Sequence, residues 1–226
     1  MTSTDKKFAV VTGANRGIGL ALTKALRQRG YDVLAACRKP TPALSALGVD
    51  VAEGVEVTEP DGVERLESAV ASRDIDLLIN NAGILRWGDR LEALDVAGIR
   101  EQFEVNALGP LVVTAKLRTR LRQGAKVALI TSRMGSIEDN GSGGFYGYRM
   151  SKAALNMAGK SLAHDLEPQG VAVIILHPGM VKTEMVGDHG QVEPEQAAEG
   201  LLARIDELTL ATTGGFWHAN GERLPW

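Results

Sequence analysis

A short apolar run, Phe8-Ala-Val-Val-Thr12, leads into Thr12-Gly13-Ala14-Asn15-Arg16-Gly17-Ile18-Gly19, and an amphipathic stretch from Leu20 to Arg29 follows. Few folds accommodate that succession. The apolar run reads as a strand buried on both faces. Gly13 permits a tight turn, Gly17 lets backbone come close to a pyrophosphate, and Gly19 lets the helix sit close to the sheet. The helix N-terminus offers free N–H groups and the positive end of a dipole. A strand before the glycines and a helix after them is the context that makes the pattern a dinucleotide site.

The rest of the chain repeats the alternation. Gly30 closes the first helix, and residues 32–37 read as a second strand that ends in Cys37-Arg38. A carboxylate at that tip would bind the ribose 2′-hydroxyl of NAD, whereas an arginine accommodates the 2′-phosphate of NADP. No carboxylate stands there, and Arg16 can reach the same phosphate, so NADP(H) is the expected cofactor. Residues 40–50 are a connector with a weak helical pattern. Residues 54–57 read as a third strand, 61–73 as a helix, and 75–79 as a fourth strand ending in Asn80-Asn81-Ala82-Gly83. A long helical pattern over 93–122 contains Asn106 and the pair Gly109-Pro110. Pro110 removes a helical N–H and should bend the chain near Asn106. A buried Asn106 could satisfy a freed carbonyl, or could hold a water leading to Lys152. Residues 126–130 form a fifth strand with Thr131-Ser132 at its carboxyl end, and 133–144 a glycine-rich loop. Residues 171–176 are a sixth strand followed by His177-Pro178-Gly179-Met180-Val181-Lys182-Thr183. Residues 184–192 are a candidate lid, 194–208 a last helix, and 215–217 an edge strand. This order implies parallel βαβ units in one domain, residues 1–226, with ligands outside the carboxyl ends of the strands.

Tyr148 and Lys152 stand at positions i and i+4 of the helix that Gly170 ends. That spacing puts them on one face. A free phenol titrates near pH 10, and a fixed cation beside it favours the phenolate. The pair is a candidate general acid/base.

Composition narrows the alternatives. The 226 residues are 44% apolar and 23% charged with a net charge of −3. That is an ordinary globular balance without a basic surface for nucleic acid. The single Cys37 excludes an internal disulfide and a cysteine-based zinc site. His164, His177, His189 and His218 show no ligand spacing, so no metal is expected. Neither a signal-peptide core nor an apolar run of membrane-spanning length is present. The expected compartment is the cytoplasm.

Together, Thr12 to Gly19, Asn80 to Gly83, Asn106, Thr131-Ser132, Tyr148-x-x-x-Lys152 and Pro178-Gly179 resemble the short-chain dehydrogenase/reductase family. They run in family order across almost the whole chain. The stretch Thr131 to Ser136 and the ending Pro225-Trp226 are similar, more narrowly, to C-factor and sniffer-type carbonyl reductases. The resemblance implies a doubly wound, mostly parallel seven-stranded Rossmann sheet. It implies catalysis by Asn106, Ser132, Tyr148 and Lys152. The serine-to-tyrosine separation is longer than is usual in the family, and Ser136 competes with Ser132, which is preferred for its place at the strand tip. The implied cofactor contacts are Gly13, Asn15, Arg16, Gly17, Ile18, Gly19, Arg38, Val57, Asn80, Ala82, Gly83, Tyr148, Lys152, Pro178, Gly179, Val181 and Thr183. The expected reaction is hydride transfer between NADPH and a small carbonyl or alcohol. Ser132 would orient the carbonyl oxygen, Tyr148 would protonate it, Lys152 would tune Tyr148 and hold the ribose, and Asn106 would position a water. The family pairs subunits through the helices that carry Asn106 and Tyr148, so a homodimer is expected, with no nucleic acid and no membrane partner. A C-factor-like signalling protein that binds NADP with little turnover is the alternative. A sugar-nucleotide epimerase shares Tyr-x-x-x-Lys but resembles a longer chain with another glycine spacing.

Overall fold

A computed structural model describes residues 6–88 and 90–226. Residues 1–5, read above as free of a leader, lie outside the described residues. The strands are β1 (Phe8–Thr12), β2 (Asp32–Cys37), β3 (Asp50–Glu53), β4 (Ile75–Asn80), β5 (Leu121–Ile130), β6 (Ala172–His177) and β7 (Gly215–His218). They form a seven-stranded sheet in the order β3-β2-β1-β4-β5-β6-β7. Every pairing is parallel. The helices are α1 (Gly17–Gln28), α2 (Pro42–Ser45), α3 (Pro60–Val70), α4 (Val96–Phe103), α5 (Gly109–Leu117), α6 (Tyr146–Leu166) and α7 (Pro194–Glu207).

Successive strand residues point to opposite faces, and each face has its own core. Val10, Leu34, Leu78 and Leu129 pack with Leu66 of α3, Leu117 of α5 and Leu155 of α6. Ala9, Val11, Ile79 and Ile130 pack with Leu22 and Leu26 of α1 and Leu201 and Leu202 of α7. A sheet covered on both sides needs strands that are apolar in continuous runs, as β1 is.

Three segments differ from the sequence reading. The third strand is Asp50–Glu53, not 54–57. Gly54 turns the chain with φ of +73°; the Val55 N–H still donates to the Cys37 carbonyl at 3.0 Å, and Val55 and Val57 are buried in the core with Leu66 of α3 and Leu117 of α5. Apolar alternation there records burial of a turn. The long helical pattern is broken as Pro110 requires. Pro110 has no N–H to offer the Asn106 carbonyl four residues back, and Glu104–Leu108 is wound as a π-helix between α4 and α5. Such wide turns recur at functional sites. Finally, β5 begins at Leu121, where the helical pattern was expected to continue. Arg122, Gln123 and Gly124 are exposed, and the register of β5 with β4 shifts between Ile75 and Leu77.

Candidate functional site

The chain leaves β1 and β4 toward opposite edges of the sheet, so their carboxyl ends open a crevice. The glycine turn lies there. Arg16 is the extended N-cap of α1, with no side chain capping the helix and no acidic residue in its first turn. Helical N–H groups are thus left for an anion. A Cβ on Gly19 would overlap the Gly13 carbonyl oxygen, and one on Gly13 would sit 2.8 Å from the Ala82 Cα. Only glycines let the turn, the helix and the end of β4 come this close.

At the outer end of the crevice, Arg38 stands just beyond β2 and Arg16 beside the turn. Each is held by a carboxylate, Arg16 by Glu184 and Arg38 by Glu56 at 3.5 Å. Asn15 ties the two segments together. Its amide donates to the Lys39 carbonyl at 3.1 Å, and its own carbonyl accepts from the Thr41 hydroxyl at 2.7 Å. The absence of an acid at the β2 tip and the two arginines suit a 2′-phosphate.

Other residues named from the sequence divide. Thr183 lies against Gly17, where an added Cβ would be 3.1 Å from its methyl group. Gly179, with φ of +90°, turns the chain after Pro178. Val181 is buried, and Ile18 packs on the α1 side of the core. Two side chains point away from the crevice. Val57 is 6% exposed and packs where a Cβ on Gly109 would meet it. The Asn80 amide donates to the Thr114 hydroxyl of α5 at 3.0 Å.

The candidate catalytic groups meet at the carboxyl ends of β4 and β5. Ser132 follows β5, is 7% exposed, and accepts from the Met134 N–H at 3.2 Å. Its hydroxyl faces the Tyr148 phenol. Lys152, one turn along α6, is 5% exposed and donates to the Ile130 carbonyl at 3.0 Å. Its ammonium stands 5.7 Å from the centre of the Tyr148 ring. A Cβ on Gly83 would lie 3.2 Å from Asn106 Oδ1 and 3.6 Å from Lys152 Nζ, so glycine keeps that floor open. Ser136 takes no part. Its hydroxyl donates to the Trp226 carbonyl at 2.9 Å and accepts from the Asp139 N–H at 3.0 Å.

Asn106 resolves the choice left open by its sequence. Its amide donates to the Ile84 carbonyl at 2.8 Å and to the Ser151 hydroxyl at 3.0 Å, while Oδ1 accepts from the Ile84 N–H at 2.8 Å. The side chain satisfies backbone on the β4 loop, and Pro110 has no N–H to give the Asn106 carbonyl.

Burial governs the electrostatics. It pushes the Tyr148 phenol up to about 12, against the opposing pull of the Ser132 hydroxyl. It lowers the Lys152 ammonium to about 8. The expectation that Lys152 would favour the phenolate is not met in this state, because the ammonium is turned to the Ile130 carbonyl. Tyr148 therefore holds its proton through the neutral range. Burial also takes His177 down to about 3, leaving it a neutral ring edge-on to His218 at 4.8 Å.

Residues 7–194 match the family model of the short chain dehydrogenases. The chain belongs to the short-chain dehydrogenase family. It is 44% identical over 223 residues to the 1-hydroxy-2-glutathionyl-2-methyl-3-butene dehydrogenase of Rhodococcus sp. (strain AD45), covering 96% of this chain and 98% of that one. It is 45% identical over 159 residues to the C-signal of Myxococcus xanthus, covering 70% of this chain and 96% of that one. Among solved structures, the NADPH-bound carbonyl reductase from chicken fatty liver is 28% identical, with a TM-score of 0.88 over 98% of this chain and 99% of that one. The narrower resemblance to C-factor chains and carbonyl reductases holds with the family assignment.

In this short-chain dehydrogenase several supporting residues escape a reading of spacing alone. The Thr12 hydroxyl accepts from the N–H groups of Asn81 and Ala82 at 3.0 and 3.1 Å. The Asn81 amide donates to the carbonyls of Thr12 and Gly13 at 3.0 and 3.1 Å. These bonds lock β1, the glycine turn and the β4 end into one piece. Asn156 accepts from the Thr131 hydroxyl at 2.8 Å and donates to the Gly135 carbonyl at 3.2 Å, fixing the segment that carries Ser132. Trp87 joins three loops at the mouth. Its ring meets Phe145 at 5.5 Å and His189 at 5.9 Å, and its indole N–H donates to the Met185 carbonyl at 3.1 Å. Phe145 is held at φ of +50°, a strained conformation for a bulky side chain, immediately before α6.

Proposed function

We propose that this oxidoreductase is an NADPH-dependent carbonyl reductase acting on a small carbonyl or alcohol, with residues 1–226 as a single cytoplasmic domain. The observation that carries the reading is the Tyr148 phenol, faced by the Ser132 hydroxyl and overlooked by Lys152, beside an uncapped α1 N-terminus. Gly13 to Gly19 and the α1 N–H groups would hold the pyrophosphate, with Thr183 alongside. Arg16 and Arg38 would take the 2′-phosphate, and Lys152 the ribose hydroxyls. When bound, NADPH supplies the hydride. Ser132 hydrogen-bonds and orients the carbonyl oxygen, and Tyr148 gives that oxygen its proton. A phenol titrating at about 12 is loaded for donation. Lys152 favours the phenolate once its ammonium swings from Ile130 toward the ring, and the Asn106 carbonyl stands ready to hold a resupplying water.

The test is NADPH oxidation over a panel of aldehydes, ketones and quinones, with NADP-dependent oxidation of secondary alcohols in parallel. The relative named for a glutathionyl alcohol makes such conjugates part of the panel. At least one member should turn over. Tight NADPH binding with no turnover of any would favour the signalling alternative, which the C-signal likeness supports.

Cofactor choice is a separate expectation. Two arginines without an acid at the β2 tip should make NADPH bind more tightly than NADH by roughly 1.5–3 kcal/mol, if one charge-assisted contact decides it. Titration of both cofactors checks this, and equal dissociation constants would contradict it.

We also propose a two-fold dimer. Phe103 of α4, Val112 of α5 and Met157 of α6 are 39%, 47% and 68% exposed. Phe103 and Met157, with Ala107, Leu111 and Ala154, border an apolar groove between these helices. A self-complementary face of this kind suits an isologous contact. Light scattering at micromolar concentration should give twice the chain mass; a monomer would contradict it.

A further inference from the structure

We propose that Glu184 is a determinant of cofactor choice, its carboxylate standing on Arg16 until a 2′-phosphate displaces it. This rests on the reading that Arg16 receives that phosphate. Glu184 belongs to the segment between β6 and α7, whose base is closed by two backbone bonds. Lys182 N–H donates to the Val192 carbonyl at 2.8 Å, and Gln191 N–H to the Met180 carbonyl at 2.7 Å. Lys182 and Glu193 pair across the same base at 2.5 Å. The loop so formed reaches the glycine turn, where Thr183 lies against Gly17. One residue further on, Glu184 pairs with Arg16, and Met185 accepts from Trp87 at 3.1 Å. Glu184 is therefore joined to the phosphate end of the crevice on one side and, through its neighbour, to the substrate mouth on the other.

One guanidinium cannot serve a carboxylate and a phosphate equally. The phosphate carries more charge and three acceptor oxygens, so NADPH wins Arg16 and releases Glu184. NADH has only a hydroxyl at that place and leaves the pair intact. The side chains of Arg16 and Glu184 are 60% and 76% exposed. Pairs this wet are weak, so the competitor lowers NADPH affinity modestly rather than blocking it.

Dissociation constants for NADPH and NADH should be measured at low and high salt for wild type, Glu184→Gln, Arg16→Gln and the double variant. Glu184→Gln is expected to tighten NADPH by about two- to fivefold, the scale of an exposed ion pair, and NADH by less. The gain should vanish in the Arg16→Gln background and fade at high salt. Equal tightening of both cofactors would overturn the proposal, showing only a general charge effect. So would unchanged NADPH binding in Glu184→Gln while Arg16→Gln still weakens it. Unchanged NADPH binding in Arg16→Gln would instead remove the phosphate reading, and the proposal with it.

Discussion

Tyr148→Phe is expected to reduce kcat for carbonyl reduction by at least the roughly 10²–10⁴-fold that general acid–base catalysis supplies, with NADPH affinity close to wild type. The substitution removes one hydroxyl and keeps the ring under Lys152. No neighbour can take over the proton. The Ser132 hydroxyl is a far weaker acid, and the Lys152 ammonium stands one turn along α6, 5.7 Å from the centre of the ring. Burial keeps the phenol protonated to about 12, so the group being removed is a loaded donor throughout the neutral range. Steady-state kinetics with the best carbonyl of the panel, alongside an NADPH titration, measures both halves. Wild-type turnover in the variant would remove Tyr148 from the chemistry.

The two serines should separate by a wide margin. Ser132→Ala takes away the hydroxyl that faces the phenol and would orient the carbonyl oxygen. A single preorganised donor to a developing oxyanion is worth about 10²–10³-fold in kcat, and a loss of that order is expected with little change in NADPH binding. Ser136→Ala acts elsewhere. It removes one donor from the Trp226 carbonyl, which keeps the Glu138 N–H at 2.8 Å, and the acceptor of the N–H of exposed Asp139. The expected cost is about 0.5–1.5 kcal/mol of stability with nearly unchanged kcat. Thermal unfolding and kinetics on the same two proteins give the comparison. A Ser136→Ala variant that folds, binds NADPH and has lost reduction, beside an active Ser132→Ala, would reverse the assignment.

Much of this architecture could be read before any coordinates. β1, β2 and β4 are legible because strands covered on both faces must be apolar throughout. β3 is not, because an edge strand needs little apolar surface and Asp50-Val-Ala-Glu53 shows little. The bend at Asn106 was legible from Pro110 alone, since a missing N–H is a covalent fact. The site was legible where chemistry fixes spacing, as in Tyr148-x-x-x-Lys152 or the glycine turn. It was not legible where orientation decides. Asn80 and Asn81 are neighbours at the end of a strand and point to opposite sides, one to Thr114 and the other to Thr12 and Gly13. Composition cannot say which is which. The pairing of Glu184 with Arg16 spans most of the chain and exists only in the folded molecule. The ionisation of Tyr148 in this state is hidden from the sequence for the same reason. A cation at i+4 favours the phenolate only if its ammonium points at the oxygen, and here a carbonyl at the tip of β5 holds it.

The central claim is that hydride passes between the nicotinamide and a carbonyl carbon while Tyr148 supplies the proton. The most direct measurement uses NADPH deuterated at the transferring position, with the carbonyl that turns over best, and locates the label in the product. Deuterium is predicted on the new carbinol carbon in wild type, with one label per NADPH consumed and almost none formed by Tyr148→Phe in the same time. NADPH consumption that leaves the carbinol carbon unlabelled, or equal labelling by the variant, would contradict it.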